Sequence, residues 1–211
     1  MIVIVAVVLV TSLGRARPSP AAPSLITTFQ PGEIQKVPSA CSSVPAATLS
    51  TYLPGKPAVA SPPGLDGSLD SQCDWTLDKR PVYRLLELDI RAYAPNGLAS
   101  GNGSATSAAT DAYAAAMRGK EHPPRATHAP AAQVSTVPRL GSTAFTATQV
   151  YRVGGAVTDV VTTVVRYRNV LITVTLDGLD HSSRGGYGPV SMDQLSGGSL
   201  AVARAALARV R

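Results

Sequence analysis

The stretch AVTDVVTTVVRYRNVLITVTLD, residues 156–177, decides the fold. Two runs rich in valine, isoleucine and threonine flank the dipeptide Arg168-Asn169. β-Branched side chains pack well on a pleated surface, and asparagine tolerates the left-handed backbone that a two-residue hairpin turn demands. The stretch therefore predicts an antiparallel β-hairpin that turns at Arg168-Asn169.

Pairing about this turn fixes which side chains share a face of the hairpin. It sets three pairs opposite one another: Val165 and Ile172, Thr163 and Val174, and Val161 and Leu176. One face then carries the apolar residues Val161, Val165, Tyr167, Val170, Ile172, Val174 and Leu176, and the other carries Thr158, Thr162, Arg166, Thr173 and Thr175. A period of two with one apolar face predicts a hairpin half-buried against helices.

The remaining elements extend this hairpin into an α+β domain. Apolar residues alternate with polar ones in three further predicted strands, around Cys73–Leu77, Leu86–Ala92 and Ser142–Val153. Helices are predicted at Ser43–Leu53, at Ala105–Arg118 and from Ser191 to the end of the chain, and loops at Lys56–Ser71, Glu121–Pro138 and Gly178–Pro189. The predicted fold is an antiparallel β-sheet with a central hairpin, helices packed mainly on one face, and a C-terminal helix that closes the domain.

Three local signals predict where helices begin and end. Gly119 follows the second helical pattern and is expected at its C′ position. Ser191, with Gln194 three residues later, resembles a capping box that opens the last helix. Gly197-Gly198 is expected to delay or kink the start of that helix, because glycine is a weak helix former.

The N-terminal region divides into an apolar segment and a linker. Met1–Leu13 is almost wholly apolar, but it is shorter than the roughly 20 residues a membrane span takes and lacks the basic region of a signal peptide. We interpret residues 1–13 as an export or anchor segment truncated at its start; the alternative is a short buried strand. Residues 14–40 are rich in proline and predict a linker, which leaves residues 41–211 as one extracytoplasmic domain. Cleavage and anchoring both remain open.

The distribution of charge argues against a nucleic-acid partner, and the two cysteines indicate a disulfide rather than a metal site. The formal net charge is +6, but the arginines are scattered and aromatic residues make up only 5%, so no nucleic-acid interface is expected. Cys41 and Cys73 belong to no CxxC pair or metal-binding spacing, so neither a metal nor another cofactor is expected. The pair predicts one disulfide in an oxidising compartment, and the alternative is two separate buried thiols.

One short segment contains the residue types of a hydrolytic site. Asp177, Asp180, His181 and Ser182 lie together just beyond a predicted strand end, where they could form a metal cluster or an acid–base pair. However, adjacent residues cannot converge on one point, and a glycine-rich loop does not fix their geometry. A polar turn is favoured, with an envelope hydrolase using Asp177, Asp180 and His181 as the alternative, and no catalytic residue is predicted.

The same loop is the predicted binding site for a ligand or partner. Asp180, His181, Arg184 and Tyr187 stand among glycines between the central hairpin and the last helix. Loops held between rigid elements are where binding residues collect. This mixed set of donors and acceptors suits a polar or peptide-like partner, and the alternative is a solvated connector.

The order of these parts resembles an uncharacterised domain of actinobacterial envelope lipoproteins and single-span membrane proteins, with a Mog1/PsbP-like α+β shape. The matching residues are Cys41, Cys73-Asp74-Trp75, Leu140–Phe145 and the Arg168-Asn169 turn. The chain departs from that pattern at Ser142 and Thr143, where acids are usual, and it lacks a lipid-attachment cysteine. The resemblance implies an extracytoplasmic α+β domain and supplies no catalytic residue.

The expected function is accordingly that of a non-enzymatic domain of the cell envelope, exported or tethered to the membrane by its N-terminal segment. It is expected to bind or sense a polar small molecule, a peptide-like partner or another envelope protein. The envelope hydrolase is one alternative. The other is a structural subunit of an envelope complex whose open sheet face docks another protein.

Overall fold

A computed structural model describes residues 26–61, 68–96, 102–125, 129–153, 156–181 and 187–211. The predicted export or anchor segment, Met1–Leu13, lies outside these ranges. Within them, no helix combines the length and the apolar composition needed to cross a membrane.

The described chain builds an eight-stranded antiparallel sheet around the predicted hairpin. Its strand order is β1-β2-β3-β7-β6-β5-β4, with β8 paired to β7. The strands are β1 (Ala58–Ala60), β2 (Asp70–Lys79), β3 (Val82–Ala92), β4 (Gln133–Thr136), β5 (Thr143–Val153), β6 (Ala156–Tyr167), β7 (Val170–His181) and β8 (Tyr187–Pro189). The hairpin β6–β7 lies at the centre, and all three predicted pairs are observed in its register.

The prediction that Asn169 provides the left-handed backbone of the hairpin turn is wrong. Arg168, the first turn residue, has a φ of 54°, and Asn169 does not have a positive φ. A positive φ at the first position alone is the pattern of a type II′ turn. Asn169 is fully buried and serves another purpose: its Oδ1 accepts the N–H of Ile34 at 2.7 Å, and its Nδ2 donates to the carbonyls of Ile34 and Tyr93 at 2.8 and 3.0 Å.

In the described part of the chain, four helices cover the two faces of the sheet unequally, and the predicted α+β class is confirmed. They are α1 (Ala40–Ser43), α2 (Ala46–Tyr52), α3 (Ala105–Glu121) and α4 (Met192–Val210). We call the side carrying Leu88, Ile172 and Val174 the apolar face, and α1, α2 and α4 pack there. Of the four described helices, α3 alone packs on the opposite side, the polar face, where its Tyr113 contacts Phe145 edge-on at 5.4 Å between ring centroids.

Helix α4 starts where the capping residue predicts. The Oγ of Ser191 accepts the N–H of Gln194 at 3.3 Å, and the helix runs uninterrupted from Met192, so the expected delay at Gly197-Gly198 is wrong. A Cβ at Gly198 would lie 2.6 Å from Leu176 Cδ2 and 2.9 Å from Tyr52 Cδ1. Gly198 is therefore needed for close packing of α4 on the sheet.

The predicted loops hold more regular structure than their sequences indicate. Lys56–Ser71 includes β1, Glu121–Pro138 includes β4, and Gly178–Pro189 includes the end of β7 and all of β8. β1 is wholly exposed and β4 is mostly so. Neither strand shows the apolar alternation by which sequence reveals a strand. The predicted helix end at Gly119 is also wrong, because α3 continues to Glu121.

Residues 26–40, the second part of the predicted linker, contact the domain, and we call them the N-terminal strap. Glu33 accepts the backbone N–H and the hydroxyl of Thr106 in the first turn of α3, at 2.7 and 2.8 Å. Partial burial raises the pKa of Glu33, but these bonds and one from the N–H of Gln30 lower it below its usual value. The strap ends at the confirmed Cys41–Cys73 disulfide, whose Cα atoms lie 5.0 Å apart.

Candidate functional site

The structure gives Asp180, from the predicted binding loop, a structural partner. Its Oδ1 lies 2.8 Å from Nη2 of Arg84, a residue only 3% exposed, whose Nη1 also donates to the carbonyls of Tyr83 and Leu179. A Cβ at Gly178 would lie 2.6 Å from Arg84 Cδ, so glycine is required where the arginine side chain crosses β7. Asp180 therefore completes the pairing of a buried cation.

For the other members of that loop, the described chain shows one backbone pairing and no side-chain contact. The backbones of His181 and Tyr187 pair across β7 and β8. Arg184 lies outside the described residues. A joint role for these residues in binding thus stays a prediction.

The two aspartates of the hydrolase alternative lie on opposite faces of the sheet. Successive side chains of a strand alternate in direction, so Asp177 and Asp180, three positions apart on β7, point to opposite sides. Asp177 lies on the polar face beside Leu85, whereas Asp180 joins Arg84 on the apolar face. The two carboxylates cannot act on one bound substrate. Among the described residues, no cluster of three acid, histidine or cysteine side chains could hold a metal.

A cavity of about 400 Å³ lies on the polar face, under the C-terminal half of α3. We call it the α3 cavity. It is lined by Ala116, Gly119, Lys120, Pro123, Pro124, Ala129, Gln149, Tyr151, Thr162, Val164, Thr173 and Thr175. Its floor is the threonine-rich side of β6 and β7, and its roof is the helix and the proline-rich segment that follows.

The sequence of α3 explains why this space stays open. The middle of the helix is anchored by Tyr113, which packs into the small apolar cluster around Phe145 and Val164. Beyond that anchor, the cavity-lining residues Ala116 and Gly119 have little or no side chain, and a Cβ at Gly119 would meet no atom within 4 Å. Tyr113 therefore fixes the distance between α3 and the sheet, and the small residues that follow it do not fill the space between them.

Lys120 lies at this cavity with its ammonium group fixed by two uncharged acceptors. Its Nζ donates to Gln149 Oε1 at 3.1 Å and to Thr162 Oγ1 at 3.0 Å. Gln149 and Thr162 are 4% and 2% exposed, and Gln149 is itself held by a 2.7 Å bond from its Nε2 to the carbonyl of Pro130. An ammonium has three N–H donors. Two are used by described residues, which leaves one for a ligand.

Four carboxylates lie beside the cavity on the polar face, and we call them the acidic band: Asp74, Glu87, Asp89 and Asp177. Glu87 stands between Asp74 on β2 and the cavity residue Thr175 on β7. Asp89 pairs in the same way with the cavity residue Thr173. Among the described residues, no member of the band has an ion-pair partner within 4.0 Å.

Burial shifts the pKa values of Glu87, Asp89, Asp177 and Lys120. Burial, and then repulsion from Glu87, raise the pKa of Asp177 to about 6, against a hydrogen bond from the N–H of Leu85. Burial also raises the pKa of Glu87 and of Asp89, with Asp74 adding to the effect on Glu87. At Lys120, burial lowers the pKa and the negative charge of Glu87 opposes that shift. The positive charge of Arg91 opposes the shift at Asp89. The region therefore holds a partly desolvated cation, Lys120, and partly desolvated carboxylates beside it.

A larger space, of about 780 Å³, opens at the turn between β2 and β3. Its cations Lys56, Lys79 and Arg80 are exposed, and no hydrogen bond or ion pair fixes any of them within the described chain. A fixed and partly desolvated cation is a stronger binding group than a solvated one. We therefore regard the α3 cavity as the candidate site, although it is the smaller space.

Of the cavity cation and the acidic band, sequence reasoning singled out Asp177 alone, and as an acid of the hydrolase alternative rather than of a binding site. Glu87 and Asp89 carried a detectable signal, because they alternate with the apolar residues of β3 and so share one face of that strand. Lys120 carried none, because the predicted helix ended before it. Gln149 lay in a strand whose register the sequence did not fix.

Comparisons with known proteins add little. The chain matches no protein-family model and no curated protein. Among solved structures, it shows a similarity to the extracellular domain of PknH from Mycobacterium tuberculosis, with 12% sequence identity, a TM-score of 0.30, and coverage of 86% of each chain. A TM-score this low supports no inference about fold or function.

Proposed function

We propose that this chain is an extracytoplasmic binding domain that holds a small ligand in the α3 cavity. The observation that carries the proposal is Lys120 at a space of about 400 Å³: two buried acceptors fix its ammonium group, and no described residue accepts its third N–H. Pockets for small molecules typically measure about 300–1,000 Å³ and combine apolar walls with a few placed polar groups. The α3 cavity has both properties.

The energetics of Lys120 favour a ligand that brings an acceptor. A partly buried ammonium costs free energy unless hydrogen bonds and an opposite charge compensate it. Here two neutral oxygens compensate in part, and no carboxylate lies within 4.0 Å among the described residues. A ligand with an acidic or strongly accepting group would complete the set.

An extracytoplasmic location is supported by the Cys41–Cys73 disulfide. Such bonds form and persist in oxidising compartments and are rare in the cytosol. The apolar segment at residues 1–13 fits export or attachment to a membrane, and the N-terminal strap would follow it toward the domain. Binding without catalysis is proposed because Asp177 and Asp180, the acids of the hydrolase alternative, lie on opposite faces.

Filling the cavity tests the proposal. The probe is anilinonaphthalene sulfonate, an apolar anion whose fluorescence rises when it leaves water. We expect Ala116→Trp, which places an indole in the cavity, to weaken probe binding at least about tenfold. The matched control is Ala115→Trp, one residue away on the exposed side of α3 and outside the cavity lining, which should bind like the wild type. Equal binding by both variants, with unchanged melting temperatures, would exclude the α3 cavity as the binding site.

A further inference from the structure

We infer that the ligand of the α3 cavity is a short peptide, or another small zwitterion, whose free carboxylate binds Lys120 and whose protonated amine lies at the acidic band. The inference rests on the proposed function and adds the chemical class of the ligand. It follows from the placement of Lys120 and several acids on the same face of the sheet.

The strand register gives the separation of the two charges. Lys120 is bonded to Thr162 on β6, which pairs with Thr175 on β7, and Thr175 pairs in turn with Glu87 on β3. Glu87 therefore lies two strands away from the anchor point of Lys120. Neighbouring strands are about 4.8 Å apart, so the lateral distance is about 10 Å. Three extended residues span about the same length.

The surfaces between the two charges suit a peptide backbone with small or apolar side chains. The hydroxyls of Thr173 and Thr175 lie along the floor and can donate to or accept from peptide groups. Ala116, Val164 and Pro123 form apolar walls. A ligand of the proposed length would lie across β6 and β7 with its amine toward β3.

The acidic band also restricts what can bind. Asp74, Glu87 and Asp89 would repel a phosphate or another polyanion that approached Lys120 from this side. A simple amine has no acceptor for the third N–H of Lys120. A fatty acid has no positive charge to pair with the carboxylates of the acidic band. A zwitterion pairs its carboxylate with Lys120 and its amine with the acidic band. Burial raises the pKa values of Glu87 and Asp89, which is consistent with a site that is stabilised by an added cation.

Blocked peptides test each end separately on the wild-type full chain. Calorimetry would compare trialanine with N-acetyl-trialanine, trialanine amide and the doubly blocked peptide. We expect trialanine to bind best and each single block to weaken binding by about 10- to 100-fold, the range for loss of one charge-assisted hydrogen bond. Dialanine should bind more weakly than trialanine, because it cannot reach both charges.

Two variants then assign each end to its residue. Lys120→Met should bind trialanine and its amide equally, and Glu87→Gln should lose most of the preference for a free amine over an acetylated one. The matched controls remove one charge elsewhere: Lys79→Met, an exposed lysine outside the cavity, and Asp78→Asn, an exposed acid at the end of β2. Both controls should keep both preferences. If a site variant fails to fold, the wild-type comparison alone decides.

The outcomes separate this inference from the proposed function. Equal binding of free and blocked peptides, or no binding of any peptide, would overturn the zwitterion assignment. If anilinonaphthalene sulfonate still binds and Ala116→Trp still weakens it, the α3 cavity remains the binding site for a ligand of another class. If Ala116→Trp leaves all binding unchanged, both proposals fail.

Discussion

Replacing Asn169 with alanine should lower the free energy of unfolding by about 2–3 kcal/mol, although Asn169 lies in a two-residue turn and does not line the α3 cavity. Its side chain is fully buried and makes three hydrogen bonds to backbone groups, two with Ile34 in the N-terminal strap and one with Tyr93 after β3. Asn169 thus joins three segments that are far apart in the sequence. Alanine removes all three bonds at once.

The magnitude follows from those bonds. A net contribution of about 0.5–1.5 kcal/mol for each gives roughly 1.5–4.5 kcal/mol for three. Ile34 is only half-buried, so water can replace part of the loss there, and we expect the middle of the range. For a domain of this size, about 2–3 kcal/mol corresponds to a fall in melting temperature of roughly 5–10 °C. Urea unfolding measures the free energy, and hydrogen exchange at the Ile34 amide should show local loss of protection.

Substituting glycine at each of the two turn positions distinguishes the stability that comes from the hydrogen bonds of Asn169 from the stability that depends on backbone conformation. Asn169→Gly should be as destabilising as the alanine variant, because the bonds are lost and no positive φ is relieved. Arg168→Gly should be neutral or stabilising by up to about 1 kcal/mol, since a left-handed backbone costs an L-residue about 1–2 kcal/mol. An exposed 2.7 Å bond from Arg168 Nη1 to the carbonyl of Gly32 is lost in exchange. A harmless Asn169→Gly beside a damaging Arg168→Gly would refute this account of the turn.

Three further predictions concern the core, the disulfide and pH. Ile172→Asp, at a fully buried site, should abolish cooperative unfolding, because an unpaired buried carboxylate costs several kcal/mol; a melting transition near that of the wild type would show that the face assignment is wrong. Reducing Cys41–Cys73 should destabilise the domain by roughly 3–4 kcal/mol, and two free thiols titrated in denatured protein isolated without reductant would contradict the disulfide itself. The folded pKa of Asp177 is raised from 3.8 to about 6, so the folded state holds an extra proton between these values. The contribution of Asp177 to stability is therefore greatest below about pH 4 and falls as pH rises to about 6. Asp177→Asn should remove that fall and exceed the wild type at pH 7 by on the order of 1 kcal/mol, after allowance for solvent screening; parallel stability–pH curves for the two proteins would count against it.

The fold was largely predictable because its centre has strong local patterns. The β6–β7 register followed from the position of a two-residue turn, and the alternation in Leu86, Leu88 and Ile90 marked β3. The short edge strands β1 and β4 had no such pattern, because they are defined by pairing alone and one of them is wholly exposed. The position of α3 on the polar face was also hidden. The side chains that receive it, Val164 and Leu171, each stand next to a residue of the apolar face, and a continuous apolar run does not tell the two faces apart.

Lys120, the cation of the candidate site, was missed because the sequence signal for the end of α3 was misleading. Glycine after a helical pattern normally marks its C′ position, so the prediction ended α3 before Gly119. Gly119 is instead helical, and the helix continues to Glu121. That extra turn brings Lys120 onto Gln149 and Thr162, which lie 29 and 42 positions later in the chain, while the absent side chain at Gly119 helps to leave the cavity open beside it. A local rule could not reveal this, because the helix is extended by contacts with strands that the rule does not see. Gly119, which in the sequence suggests the end of the helix, is therefore a helical residue that leaves space for the α3 cavity.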